Sequence, residues 1–507
     1  EESMNYYKKA LKNAEEAENN VYIADSHIRL VKLFYKLNDV KSCLQHSAKA
    51  KKIIKSIDYK QGMLDLILAL SQLMIYRRKY NTHLRIVLKV LKSIDQNDKY
   101  YWAMFKSTYG RILVKKDRFE EALRHLEESS EILEQLQEYE GLVPTLNNIG
   151  TIYYNYYYDI EKAMEYFQKN VHICQRINNL SFLSFNYNNI AEMYREKDKY
   201  KESLDYYNKA LEAIIKTPNK YSETVIYTNK ANVYIDLEDY KKAVSCMEKA
   251  EEILKGSKDI GEAILYYYVL KALFYYKMGY FQKAISYAQK TVDMCTSWGK
   301  EVDYEALYII LLCKSILYKD LNYEGLLEFA ERLFNNRKYK LGREACHSFA
   351  EMFIEQNKLE EAKVFLNLSD KYSANINTSY LNAKYEYLCA MACSGSERRN
   401  KLELLSRLDK NIESKEIKWK LFKHLGEELF NEGKYYEALR QFITSLNVLR
   451  MLVENVPDEH KIKFLLSHNR HKVKECLIKT AQEITGKSLI LGITLLGGEI
   501  KDVRKAI

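Results

Sequence analysis

Three asparagines hold one register in this chain: Asn148, Asn189 and Asn229. Each stands two residues before a small residue, in the stretches NNIGTIYYNYYYD, NNIAEMYREKDKY and TNKANVYIDLEDY. A carboxamide carries both a donor and an acceptor. It can pair with one peptide N–H and C=O without reading the side chain. Repeated at successive intervals, such groups make a ladder along an extended polypeptide. Asn147 and Asn188 stand one residue away from two of them and are secondary candidates. The competing use of each asparagine is a bond to its own helix or a neighbouring one. Tyrosine is abundant, with 44 copies. Clusters such as Tyr153 to Tyr158 and Tyr266 to Tyr268 exceed what one buried stripe needs. An aromatic body with a polar tip suits peptide recognition, and Tyr268 is the candidate taken from these clusters. Most tyrosines are expected to fill space between helices in place of Phe and Leu.

Other chemistries find less support. Gly486-Lys487-Ser488 resembles the end of a phosphate-binding loop, but position 481 is Ala where the motif needs Gly, and no strand precedes it. His460, His468, His471 and Cys476 lack the CxxC or HExxH spacing of a metal site. Cys389 and Cys393 share a helical face without a nearby His and read as core. No nucleophile–base–acid arrangement can be placed, so no catalytic residue, metal or cofactor is expected.

The positioning elements follow from a period. The first residue of the second helix in each repeat is an aromatic or aliphatic residue three before a small one. The series is Val40, Tyr80, Phe119, Ile160, Tyr200, Tyr240 and Phe281, at spacings of 40, 39, 41, 40, 40 and 41. Tyr323, Leu359 and Tyr435 continue it more loosely, and the 76-residue gap before Tyr435 predicts a degenerate repeat near 380–412. Only 3 prolines and 17 glycines occur, which lets long helices run unbroken. Such self-similarity predicts an all-α solenoid of stacked helix pairs.

The small residues give the resemblance. They fall on Gly110, Gly150, Ala191, Ala231, Ala272 and Gly426 in the first helix, and on Ala122, Ser203, Ala243, Ala284 and Ala438 in the second. An aromatic follows three later as Tyr153, Tyr194, Tyr234 and Tyr275. In the Asn148 repeat one residue is inserted, in the YYNYYYD turn. This pattern resembles the tetratricopeptide repeat (TPR), in a long-helix form similar to kinesin light chains and bacterial peptide-sensing regulators. The resemblance covers roughly 1–450, strongly over 100–290 and weakly over 300–420. It implies about eleven repeats in a right-handed superhelix over 1–452, with a C-terminal helical cap or linker over 453–507. It also implies that Asn148, Asn189 and Asn229 face a concave groove and bridge a ligand backbone. The expected function is a non-catalytic peptide- or protein-binding module, a sensor or scaffold in a bacterial-type signalling protein. The alternative is the regulatory fragment of a larger ATPase switch, kinase or transcriptional activator, since the chain opens on Glu1 inside the second helix of a repeat.

Composition narrows the partners. Net charge is +10, spread over helices that mix both signs. Residues 397–507 hold 22 Lys/Arg against 16 Asp/Glu, a small local excess. Direct nucleic-acid binding needs a basic stripe with little acid interleaved, and none is seen. The nine cysteines, odd in number, read as buried thiols in a reducing cytoplasm. No apolar run reaches spanning length, Leu489–Leu496 being the longest, so no membrane role is expected. A homodimer through the terminal repeats is allowed.

Overall fold

In a computed structural model the described residues are 2–36, 39–76, 79–95, 97–215, 219–256, 261–318 and 322–485. They fall in two compact units, Glu1–Asn186 and Tyr187–Ile507. The sequences Gly486-Lys487-Ser488 and Leu489–Leu496 lie outside the described residues. Among the described residues the regular structure is entirely helical.

The N-terminal unit runs α1 (Glu2–Glu16), α2 (Asn20–Lys36), α3 (Val40–Ser56), α4 (Lys60–Tyr76), α5 (Tyr80–Ser93), α6 (Lys99–Val114), α7 (Phe119–Gln135), α8 (Tyr139–Ile152) and α9 (Ile160–Arg176), and ends within α10 (Leu180–Glu196). The C-terminal unit continues with α11 (Tyr200–Ile215), α12 (Lys220–Asp236), α13 (Tyr240–Lys255), α14 (Ala263–Lys277), α15 (Phe281–Ser297), α16 (Tyr304–Tyr318), α17 (Tyr323–Asn335) and α18 (Tyr339–Glu355). It closes with α19 (Leu359–Lys371), α20 (Ser379–Met391), α21 (Gly395–Arg407), α22 (Lys415–Asn431), α23 (Tyr435–Glu454), α24 (Lys461–Leu466) and α25 (Lys472–Thr485).

Helices pack in consecutive pairs, as α2 on α3, α6 on α7, α12 on α13 and α22 on α23. Every second helix begins at the residue the period marks, from Val40 to Tyr435, and α20 with α21 is the degenerate pair. The small residues explain the pairing. Ala122, Ala163, Ser203, Ala243, Ala284 and Ala438 are fully buried where two helices touch. At a slot taken by a larger group, His83 is fully buried, its Nε2 3.0 Å from Ser71 Oγ. Burial, with Arg111 nearby, pushes its pKa down to about 4, so the ring is neutral at pH 7. The inserted residue in YYNYYYD is absorbed by a π turn over Tyr153–Tyr157, the usual answer of a helix to one extra residue.

Gly150 shows how tight these crossings are. A Cβ there would sit 2.8 Å from Phe167 Cε1 and 3.0 Å from Cζ. The Phe167 ring is buried and cannot turn aside. Gly150→Ala is expected to cost about 1–2 kcal/mol by overpacking. Gly256→Ala, where no atom lies within 3.4 Å of the new carbon, should be close to neutral. Urea unfolding of the two variants checks this; equal midpoints would show that the crossing relaxes freely.

An extended apolar cluster of the C-terminal unit runs from Ala231 to Leu477, beside smaller ones such as that of Ala191, Tyr207 and Val233. After α23 the chain turns at Pro457, and α25 packs back on α23 with Val473 and Leu477 fully buried. Six cysteines are buried, whereas Cys389 and Cys393 are only half-buried, short of the core position expected for them.

Candidate functional site

The C-terminal unit folds back on itself, and its helix-to-helix corners make the closure. Residues two before a second helix take the left-handed backbone, as Asp198 (φ 56°), Glu238 (φ 58°) and Gly279 (φ 82°) do. Each of these three corners meets a segment nearly two hundred residues further on. Asp198 Oδ2 accepts the Tyr380 N–H at 3.1 Å, at the start of α20. Glu238 accepts from the Ser414 hydroxyl at 2.7 Å and from the N–H groups of Lys415 and Glu416 at 2.9 and 3.0 Å. A buried carboxylate from α12–α13 thereby caps the N-terminus of α22. Gly279 lies against Ser467, in the link between α24 and α25.

The same link crosses the corner above it. His468 Nε2 donates to the Tyr276 carbonyl at 3.2 Å, and His460 Nδ1 lies 3.4 Å from Tyr280 Oη. Burial pushes His468 down to about 3, with Arg470 beside it, so it donates as a neutral ring. These two histidines, weighed as metal ligands on sequence, are thus engaged in the closure.

Closure leaves a hollow of about 440 Å³ between the first helices of the repeats. That is within the size range of ligand pockets. Its wall is polar for an interior surface: Arg195, Glu305, Lys340, Glu344, Lys384 and Lys420 all face it, with Tyr308 and Tyr380. Charges pair along it. Arg195 Nε bonds Asp236 at 2.8 Å and Lys340 lies 3.6 Å from Asp198. Lys420 bonds Glu351 at 2.6 Å, and Arg470 bonds Glu416 at 3.1 Å.

Protein surrounds these groups, and their protonation responds. Burial raises Glu305 to about 7, reinforced by Asp303, and raises Glu344 as well. Burial raises Glu192 to about 7 despite Arg195, and its Oε1 is buried without a hydrogen-bond partner. Lys384 is pushed down to about 8 by burial, against the pull of Glu351. Burial opposes the charge on Glu416 too, but Arg470 and Lys420 outweigh it and hold that carboxyl well below its usual range. Half-buried groups such as Glu344 and Lys384 thus feel fields that water screens only in part.

The sequence candidates lie elsewhere. Asn148, in the N-terminal unit, donates Nδ2 to Pro144 O of its own helix at 2.6 Å, with Asn147 beside it half-buried. In the C-terminal unit Asn229 Nδ2 donates to Asn188 Oδ1 at 3.2 Å, linking α12 to α10, and Asn189 is half-buried next to that pair. Tyr268 is half-buried, with its ring centroid 5.8 Å from Tyr287 and Lys290 5.7 Å from its ring. None of the six lines the hollow, although Asn229 stands one turn before Asn232, which does. The residues that do line it left one readable trace. On α18, Lys340, Glu344, Ser348, Glu351 and Glu355 recur at helical spacing on one face. A charged stripe on a first helix, opposite its apolar stripe, is the signal that could have found them.

Residues 183–256 and 254–295 match family models described as tetratricopeptide repeat. No curated protein matches the sequence. Among solved structures, the chain is similar to a Rap protein complexed with Competence and Sporulation Factor, at 18% identity and a TM-score of 0.50, over 71% of this chain and 99% of that one. It is also similar to the apo quorum sensor NprR from B. thuringiensis, at 15% identity and a TM-score of 0.49, over 71% and 99%. At these identities the likeness to the Rap protein is one of fold. No helix among the described residues is long and apolar enough to cross a membrane.

Proposed function

We propose that this chain, which belongs to the tetratricopeptide-repeat family, is a non-catalytic module that binds a short peptide segment and serves as a sensor or scaffold. The observation that carries the reading is the hollow of the C-terminal unit. It is ligand-sized, walled by first helices, and lined by tyrosines and charged groups. Its lysines, carboxylates and hydroxyls supply the donors and acceptors that a peptide backbone and its polar ends require. The Rap protein of like fold is complexed with Competence and Sporulation Factor, and the proposal carries that kind of use of the fold to this chain.

In this reading Asn188, Asn189 and Asn229, with Tyr268, extend the site beyond the hollow along α10, α12 and α14. Asn147 and Asn148 are the corresponding proposal for the N-terminal unit. The test is a titration of the full chain with a peptide library, followed by the tightest binder against Asn189→Ala and Asn229→Ala. Each substitution should weaken binding by about fivefold, the worth of one net hydrogen bond, while the helical spectrum and melting temperature hold. Unchanged affinity in both variants removes the asparagines from the site. Absence of any binder in the library removes the peptide reading itself.

A further inference from the structure

The hollow is chemically different at its two ends. Helix α18 spans both, and from Glu344 to Glu351 it advances about 10 Å. At the Glu344 end both cations are already committed. Arg195 serves Asp236 at 2.8 Å and Glu192 at 3.7 Å, and Lys340 serves Asp198 at 3.6 Å. Among the described residues no cation lies within 4.0 Å of the Glu305 or Glu344 carboxylates, though both line the hollow. At the Glu351 end the imbalance is reversed. Glu351 is shared by Lys420 at 2.6 Å and Lys384 at 3.9 Å. Glu416 is shared by Arg470 at 3.1 Å and again by Lys420 at 3.7 Å. Lys277 adds a fourth cation with no carboxylate within 4.0 Å among the described residues, and the third carboxylate, Glu355, faces Asn469 at 3.4 Å. Between the ends Ile309 and Leu312 are apolar, Tyr308 Oη sits 2.8 Å from Ser348 Oγ, and Lys384 Nζ reaches the same hydroxyl at 3.4 Å.

We propose that this hollow takes a short peptide with both termini free, its α-ammonium against Glu305 and Glu344 and its α-carboxylate against Lys384 and Lys277. The proposal rests on the peptide-binding reading above and narrows it. The span fixes the size. Lys384 reaches both Ser348 and Glu351, which stand about 6 and about 10 Å along α18 from Glu344, so with about 3.3 Å per extended residue the two ends accommodate two to three residues. The charges fix the direction. An ammonium supplies the cation that Glu305 and Glu344 lack, and a carboxylate supplies the anion that the lysine end lacks. The apolar wall at Ile309 and Leu312 reads no particular side chain. Glu305 and Glu355 keep exposed surface at the opposite ends, which leaves the hollow open to entry.

The experiment is isothermal titration of the full chain with three pools of random tripeptides: free at both ends, N-acetylated, or C-amidated. The free pool should bind, and each blocked pool should bind at least about tenfold more weakly, the scale of a lost charge-assisted contact. The double variant Glu305→Gln, Glu344→Gln should weaken the free pool about tenfold without weakening the acetylated pool further. It removes two unpaired carboxylates, so its melting temperature should hold. Lys384→Met should erase the preference for free over amidated peptides. Equal binding of blocked and free pools overturns the proposal. So does binding of capped peptides of ten or more residues with no binding of tripeptides, which leaves the broader peptide-binding reading in place. Failure of long and short peptides alike removes both.

Discussion

Replacing Gly279 by alanine is expected to lower the unfolding free energy of the C-terminal unit by about 2–5 kcal/mol. Two separate costs add. The backbone at Gly279 has φ 82°, where an L side chain pays about 1–2 kcal/mol. The new methyl would also overlap Ser467 Cβ, with Ser467 Oγ only 2.6 Å away. Overpacking of that kind costs about 1–3 kcal/mol. Ser467 cannot step aside without loss: its hydroxyl donates to Phe464 O at 2.8 Å and accepts from Arg470 at 2.9 Å. Arg470 in turn holds Glu416, and the adjoining His468 holds the Tyr276 carbonyl. The disturbance should therefore spread along the whole link, and hydrogen exchange should rise over residues 457–470. Gly433→Ala is the control. It stands in the same corner position with φ 77° but meets nothing within 4 Å, so it pays the backbone cost alone. Equal destabilisation by the two substitutions would mean that the closing contact carries no weight. Adding Ser467→Gly to Gly279→Ala should recover the steric part and leave the backbone part.

The contrast between those two glycines also marks what the sequence could and could not tell. Periodicity is a local signal. It located the second helices from Val40 to Tyr435 because each crossing excludes bulk at a fixed offset, as at Ala122, Ala243 and Ala438. It located the inserted residue before Ile160 and the degenerate pair over 379–407 by the same arithmetic. Nothing in that arithmetic says which corner meets which later helix. Gly279 and Gly433 look alike in sequence, and only the fold puts Ser467 against one of them. Glu238 reads as an ordinary turn residue until α22 arrives 176 residues later. The hollow is hard to read in sequence for the same reason. Asn148, Asn189 and Asn229 were picked out by their shared register, which was real, whereas the hollow is assembled from Arg195, Glu344, Lys384 and Lys420 on separate repeats. No single repeat carries that set. The charged stripe on α18 was visible, but on its own a stripe of Lys and Glu reads as a solvated face.

Glu238→Gln should be the second most damaging single change in this unit, costing about 2–4 kcal/mol near pH 5. The carboxylate is 6% exposed and receives three donors, two of them backbone N–H groups at the start of α22. A buried donor left unmade costs about 1–3 kcal/mol, and two backbone N–H groups and a hydroxyl converge on this one side chain. Gln keeps the shape but presents an NH₂ where two N–H groups already point, so at least one donor loses its partner. The effect should also depend on pH, with a sign that follows from protonation. Burial raises the Glu238 pKa above its unfolded value, and the bonds from Ser414 and Glu416 offset this only in part. The folded state then binds the proton more tightly than the unfolded one. Its contribution is fully present below the ordinary carboxyl range and declines as pH rises through the folded pKa. The cost of Glu238→Gln should therefore shrink steadily above about pH 4.5, the usual value for this group. Urea unfolding of the wild type and variant side by side at several pH values measures that difference directly. Background titrations, such as His468 and Glu305, cancel between the two proteins. A cost that grows with pH would show that the carboxylate is held as the anion by α22, and that the helix terminus dominates over burial.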